Sequence, residues 1–75
     1  MTDPLIDILA PDPPRTRYGS VIWPDDPIQA WMLLCDLARV QPDSAYSVEI
    51  LIQRLRLHGE QTQRRTVERI YQARP

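Results

Sequence analysis

The chain has 75 residues, a single cysteine and a formal net charge of −1. This length allows one small domain with a limited core, and one cysteine excludes an internal disulfide, which fits a reducing cytoplasm. The net charge as a whole does not indicate a nucleic-acid-binding protein.

Residues 1–23 are predicted to form a proline-rich, extended arm ahead of a helical domain at 24–75. Prolines at 4, 11, 13 and 14 exclude a long helix in the arm, and Met1 to Pro4 lack the basic charges of a signal peptide. The aliphatic cluster at 5–9 is expected to dock on the body or on a second copy. Residues 18–23 are predicted to pack on the helices as an extended segment, since no second clear strand is present.

The first helix is predicted to run from Pro27 to about Val40, with Asp26 as its cap. Apolar residues cover most of its perimeter, which indicates a central helix packed on two sides. Self-association is the other way in which such an apolar surface could be buried, so a homodimer through this helix is expected. Its longest apolar run, 30–35, is far shorter than the roughly 20 residues that span a bilayer, so no membrane is implied.

Two shorter helices follow a loop at 41–46. The second helix is predicted from Val48 to about Leu57, capped by Ser47 and ended by Gly59 in a left-handed conformation. The third is predicted to begin near 62 or 63 and to end by Ala73. Helical spacing places Val67, Ile70 and Tyr71 on an inner face and Arg65, Arg69 and Gln72 on the opposite face. The fold class is therefore mainly α: a three-helix, helix-turn-helix-like domain.

Charge is distributed unevenly along the chain. Residues 1–46 carry a balance of −4 and residues 47–75 a balance of +3. All nine basic residues are arginine, whose planar fork suits bidentate contacts to phosphate, guanine or carboxylate. A coding bias of a GC-rich genome is the simpler explanation for the absence of lysine. The asymmetry is compatible with a surface that meets phosphate or an acidic protein.

The run from Gly59 to Arg69 resembles the turn and recognition helix of the N-terminal winged helix-turn-helix in WYL-domain bacterial transcription regulators. Its specific part is Arg-Arg-Thr-Val-Glu-Arg at 64–69, and Ser47 stands where that family opens its second helix. The resemblance covers roughly 28–71 and implies a DNA-binding recognition helix.

Three features depart from the family pattern. Residues 62–63 are Thr-Gln instead of a hydrophobic–serine pair, and Ile70 replaces the usual aspartate. The sequence ends at Pro75, where the family's wing would begin, and no ligand-sensing domain follows. Either the segment from Arg15 to Trp23 replaces the wing, or the protein does not bind DNA in the family's manner.

If the third helix enters a major groove, residues at its amino-terminal end would meet base edges and later ones would reach bases or backbone. Arg54 and Arg56, on the second helix, are expected to face outward and to contact phosphate. The full candidate set is Arg54, Arg56, Gln63, Arg64, Arg65, Arg69 and Gln72. The competing interpretation is a solvated face in which Glu60 and Glu68 are local ion-pair partners.

No catalytic residue, metal ligand or cofactor is predicted. His58 is the sole histidine, and Cys35 lies in the middle of the apolar helix, where a core role is expected. We therefore expect a protein that is not an enzyme. Two functions are open: a small, cytoplasmic, dimeric transcription regulator that binds double-stranded DNA, and a phage- or plasmid-encoded inhibitor, of anti-CRISPR or anti-host-factor type, that uses the helical domain and the acidic half to block a host protein.

Overall fold

The computed structural model describes residues 13–42 and 45–74. Its helices are α1, Pro27–Ala38; α2, Val48–Leu57; and α3, Arg64–Ala73. Each helix packs against the other two, which confirms the mainly α, three-helix domain. Within 13–42 and 45–74 no strand forms, and an isolated antiparallel bridge joins Arg15 to Val21. The predicted docking of the aliphatic cluster at 5–9 lies outside the described residues.

Helix α1 begins as predicted. The Asp26 carboxylate accepts a hydrogen bond from the Gln29 amide at 3.0 Å, and Pro27 occupies the first helical position, where its missing N–H has no consequence.

Helix α1 ends at Ala38, two residues before the predicted Val40. Arg39 adopts a left-handed conformation with φ 59°. The amides of Arg39 and Val40 turn back to the carbonyls of Asp36 and Cys35, at 3.1 and 3.0 Å. These two bonds form a left-handed helix ending, a position at which glycine is usual. Because residue 39 is arginine, the sequence did not indicate that the helix ends there.

Helix α2 has both predicted caps. The Ser47 hydroxyl accepts a hydrogen bond from the Ile50 amide at 3.3 Å. At the other end Gly59 has φ +85°, its amide donates to the Arg56 carbonyl, and the Glu60 amide donates to the Leu55 carbonyl at 2.8 Å. Since glycine adopts this φ without steric cost, the turn toward α3 is fixed by Gly59.

The core lies where the three helices meet. Trp31 of α1 is buried, donates from Nε1 to the Pro42 carbonyl at 2.8 Å, and meets the Tyr71 ring edge-on at 6.0 Å. The buried side chains are Ala30, Trp31, Leu34, Cys35, Ala38, Leu51, Ile52, Leu55, Val67 and Ile70. Helix α1 contacts both other helices, as its apolar perimeter predicted, but Ile28 and Met32 remain 52% and 49% exposed.

Candidate functional site

Helix α3 separates an apolar inner face from a polar outer face. Val67 and Ile70 are buried and Tyr71 is half-buried. Arg65 and Arg69 are exposed, and neither forms an ion pair with any other described residue. This confirms the predicted orientation of α3: its apolar residues hold the core together and leave two guanidinium groups available to solvent.

The ends of this outer face are also accessible. Gln72 is exposed in the last turn of α3, and Gln63 is exposed at the position that precedes its first turn. The Gln63 side chain makes no capping hydrogen bond. Its amide group therefore keeps both donor and acceptor capacity for a ligand, at the cost of a weaker helix start.

Arg64 differs from its neighbours because it is already paired. Both of its terminal nitrogens contact the Glu49 carboxylate of α2, with Nη2–Oε2 at 2.6 Å, and Glu68 lies 3.8 Å away. The hydrogen bonds from Arg64 lower the pKa of Glu49, and the same pairing raises the pKa of Arg64. Both side chains are half-exposed or more, so solvent screening keeps the pair weak and open to exchange.

Arg54 does not face outward, and that expectation is wrong. Its side chain is half-buried, with Nε donating to the Ala38 carbonyl at 2.9 Å and Nη2 to the Arg39 carbonyl at 3.2 Å. These contacts satisfy carbonyls at the end of α1 that the helix leaves without partners. Arg54 thus binds two helices together and is not part of the candidate surface.

Arg56 does face outward, near the carboxyl end of α2. Together with Gln63 and Arg64 it lines a groove of about 520 Å³ beside the α2–α3 turn. The structure therefore brings Arg56 close to the amino-terminal end of α3, as a contact to a common ligand would require.

Residues 14–22 form a short hairpin that the sequence did not predict. The Thr16 amide donates to the Ser20 carbonyl and the Ile22 amide to the Pro14 carbonyl, at 2.8 and 2.9 Å. The prediction of an extended segment at 18–23 is thus wrong for the residues that fold back in the hairpin, whereas Trp23 packs against the core as predicted. Gly19, with φ +85°, was the local signal that could have revealed the turn.

An ion pair attaches this hairpin to the α2–α3 turn. Arg15 donates to both carboxylate oxygens of Glu60, at 2.7 and 3.3 Å, and also to the Gly19 carbonyl at 3.1 Å. Arg15 and Glu60 are 45 positions apart in sequence, so no local pattern could have indicated their contact. The segment from Arg15 to Trp23 consequently lies beside the amino-terminal end of α3.

The described residues also bear on three other features: a reactive thiol, a metal site and a membrane-spanning helix. The Cys35 thiol is fully buried, and its burial raises its pKa to about 11, so it is a poor nucleophile near neutral pH. Among residues 13–42 and 45–74 no group of three metal-binding side chains occurs. None of the described helices has the length and apolar character needed to cross a bilayer.

The site is thus the outer face of α3, which carries Arg65, Arg69 and Gln72, with Gln63 at the position before the first turn. Arg56 and the hairpin flank the amino-terminal end of the helix. No protein-family model, curated protein or solved structure matches the chain. The likeness to WYL-domain regulators therefore stays a prediction.

Proposed function

We propose that the protein is a small, cytoplasmic, non-enzymatic transcription regulator that binds double-stranded DNA through α3. The observation that carries the proposal is the pair of exposed guanidinium groups, Arg65 and Arg69, opposite the buried Val67 and Ile70. An arginine that is solvated and without an ion-pair partner can bind an anionic or guanine acceptor without first breaking an internal contact.

The dimensions of the element fit this role. An α-helix fills the major groove of B-DNA, where bidentate arginine contacts to guanine are the commonest specific interaction. Arg65 and Arg69 are one helical turn apart and would read neighbouring bases, with Gln63 at the leading end of the helix. Arg56 lies on the adjacent helix, where a phosphate contact would set the register.

We further propose that the protein binds DNA as a homodimer through α1. A single recognition helix buries little surface, so tight specific binding normally uses two half-sites. The exposed side chains of Ile28 and Met32 lie one turn apart on α1 and would form an apolar seam between two copies.

Fluorescence anisotropy with duplexes from the region upstream of the protein's own gene tests the proposal. We expect a saturable, salt-sensitive complex that Arg65→Ala or Arg69→Ala weakens by about tenfold or more, because one bidentate base contact is worth about 1–3 kcal/mol. Arg39→Ala is the matched control, since it removes an equal charge from the end of α1. Absence of binding at micromolar protein and low salt, or equal losses in all three variants, would contradict the proposal.

A protein-binding inhibitor is the second candidate. Leu57 and Ile50 lie two turns apart on α2 and are 74% and 42% exposed, so a partner protein would find two apolar side chains on this side of the helix. Pull-down after nuclease treatment separates the two functions. One stoichiometric host protein lost in Leu57→Glu, but retained in Arg65→Ala, would favour the inhibitor.

A further inference from the structure

The tip of the hairpin carries two side chains without a role in the fold. Tyr18 is 86% exposed, and Arg17 is exposed with no ion pair to another described residue. Tyr18 therefore contributes little to the core, and its ring and hydroxyl are accessible to an intermolecular contact.

The hairpin that presents these side chains is held in a defined conformation. The Thr16 hydroxyl accepts hydrogen bonds from the amides of Tyr18 and Ser20, at 3.3 and 3.2 Å. The Gly19 amide donates to the Thr16 carbonyl at 2.9 Å. Because the tip satisfies its own backbone groups, a ligand would bind to it without a large ordering cost.

The hairpin also has a fixed position relative to α3. The Arg15–Glu60 ion pair joins it to the turn that precedes α3, and Glu60 is only 14% exposed in this pair. A groove of about 350 Å³ runs between the two elements, with Tyr18 and Ser20 on one wall and Gln63 and Thr66 on the other. Hydroxyl and amide groups in its lining can donate to phosphate oxygens. The Glu60 carboxylate also lines the groove, where its charge is paired with Arg15.

We propose that the hairpin is a second DNA-contacting element, in which Arg17 and Tyr18 bind the sugar–phosphate backbone next to the bases that α3 reads. This inference rests on the proposed function, because it assigns a further contact to the same complex. It accounts for the exposed Tyr18 and for the Arg17 guanidinium, which forms no ion pair within the described part of the chain, and it adds an arginine of the amino-terminal half to the proposed DNA-binding surface.

Anisotropy titrations at several salt concentrations test the inference with Arg17→Gln and Tyr18→Ala. We expect each to weaken binding about fivefold to tenfold on every duplex tested, and Arg17→Gln to reduce the salt slope by about one unit, because phosphate contacts carry no sequence information. Arg39→Gln is the control with the same charge change, and thermal unfolding verifies that each variant is folded.

The outcomes separate the two proposals. If the wild type binds and Arg65→Ala weakens it, while Arg17→Gln and Arg39→Gln have equal effects and Tyr18→Ala has none, the hairpin contact is overturned and the α3 proposal stands. If the wild type binds no duplex at low salt, the proposed function fails and the hairpin contact with it.

Discussion

The backbone of Arg39 adopts a left-handed conformation that is strained for a residue with a side chain. Among the described residues Arg39 is the only non-glycine residue with a positive φ, and it ends α1 where glycine is usual. Its own carbonyl accepts a hydrogen bond from Arg54, which helps to hold the residue in this conformation. The left-handed region costs an ordinary residue roughly 1–2 kcal/mol, a strain that glycine avoids.

We predict that Arg39→Gly raises stability by about 0.5–1 kcal/mol, since removal of the strain exceeds the extra chain entropy of glycine in the unfolded state. In a domain of this size that gain corresponds to roughly 2–8 °C in Tm, measured by circular dichroism. Arg39→Ala keeps the strain and serves as the control. A Tm for Arg39→Gly at or below that of Arg39→Ala would show that position 39 is not strained.

The contact between α2 and α3 contains a second testable feature, the Glu49–Arg64 ion pair. Arg64 lies in the first turn of α3, where a positively charged side chain could contact DNA. Its guanidinium, however, is bound to the Glu49 carboxylate. A phosphate or base would have to displace this carboxylate. If DNA binds at this end of α3, Glu49 would therefore compete with it for Arg64 and would limit the affinity.

We predict that Glu49→Gln strengthens DNA binding by about two- to fivefold, the range expected for an exposed ion pair. Asp36→Asn removes the same charge from α1 and should have a smaller effect. In an Arg64→Ala background the advantage of Glu49→Gln over Asp36→Asn should disappear. An advantage that persists there would mean that Glu49 acts by long-range charge and not through Arg64.

The helices were predictable from sequence because their determinants are local. The caps at Asp26 and Ser47, the stop at Gly59 and the apolar spacing of α3 each depend on residues within one or two turns. The hairpin turn had a local signal in Gly19, but its attachment to the α2–α3 turn was not predictable, because that attachment depends on an ion pair between residues 45 positions apart. The prediction that Arg54 faces outward was wrong for the same reason, because the two carbonyls that accept its hydrogen bonds lie at the end of another helix.

The whole molecule combines an acidic amino-terminal half with a basic carboxyl-terminal half. It also carries an apolar strip on α1, formed by Ile28 and Met32. If that strip is a dimer seam, mass measurement by light scattering should give a dimer at tens of micromolar. We predict that Met32→Glu gives a monomer, because each copy would bury an unpaired carboxylate at the seam. Leu57→Glu, which changes an exposed apolar residue on α2, should stay dimeric. A monomeric wild type at all concentrations would exclude the seam.

We infer that the outer face of α3 is the surface that binds DNA. An NMR titration of the isotope-labelled protein with a duplex that it binds tests this inference residue by residue. We expect the largest shift changes at Gln63, Arg65, Arg69 and Gln72, and small changes at Ile28 and Met32. Changes centred on α1, or on Ile50 and Leu57 of α2, with α3 unaffected, would show that α3 is not the DNA-binding surface.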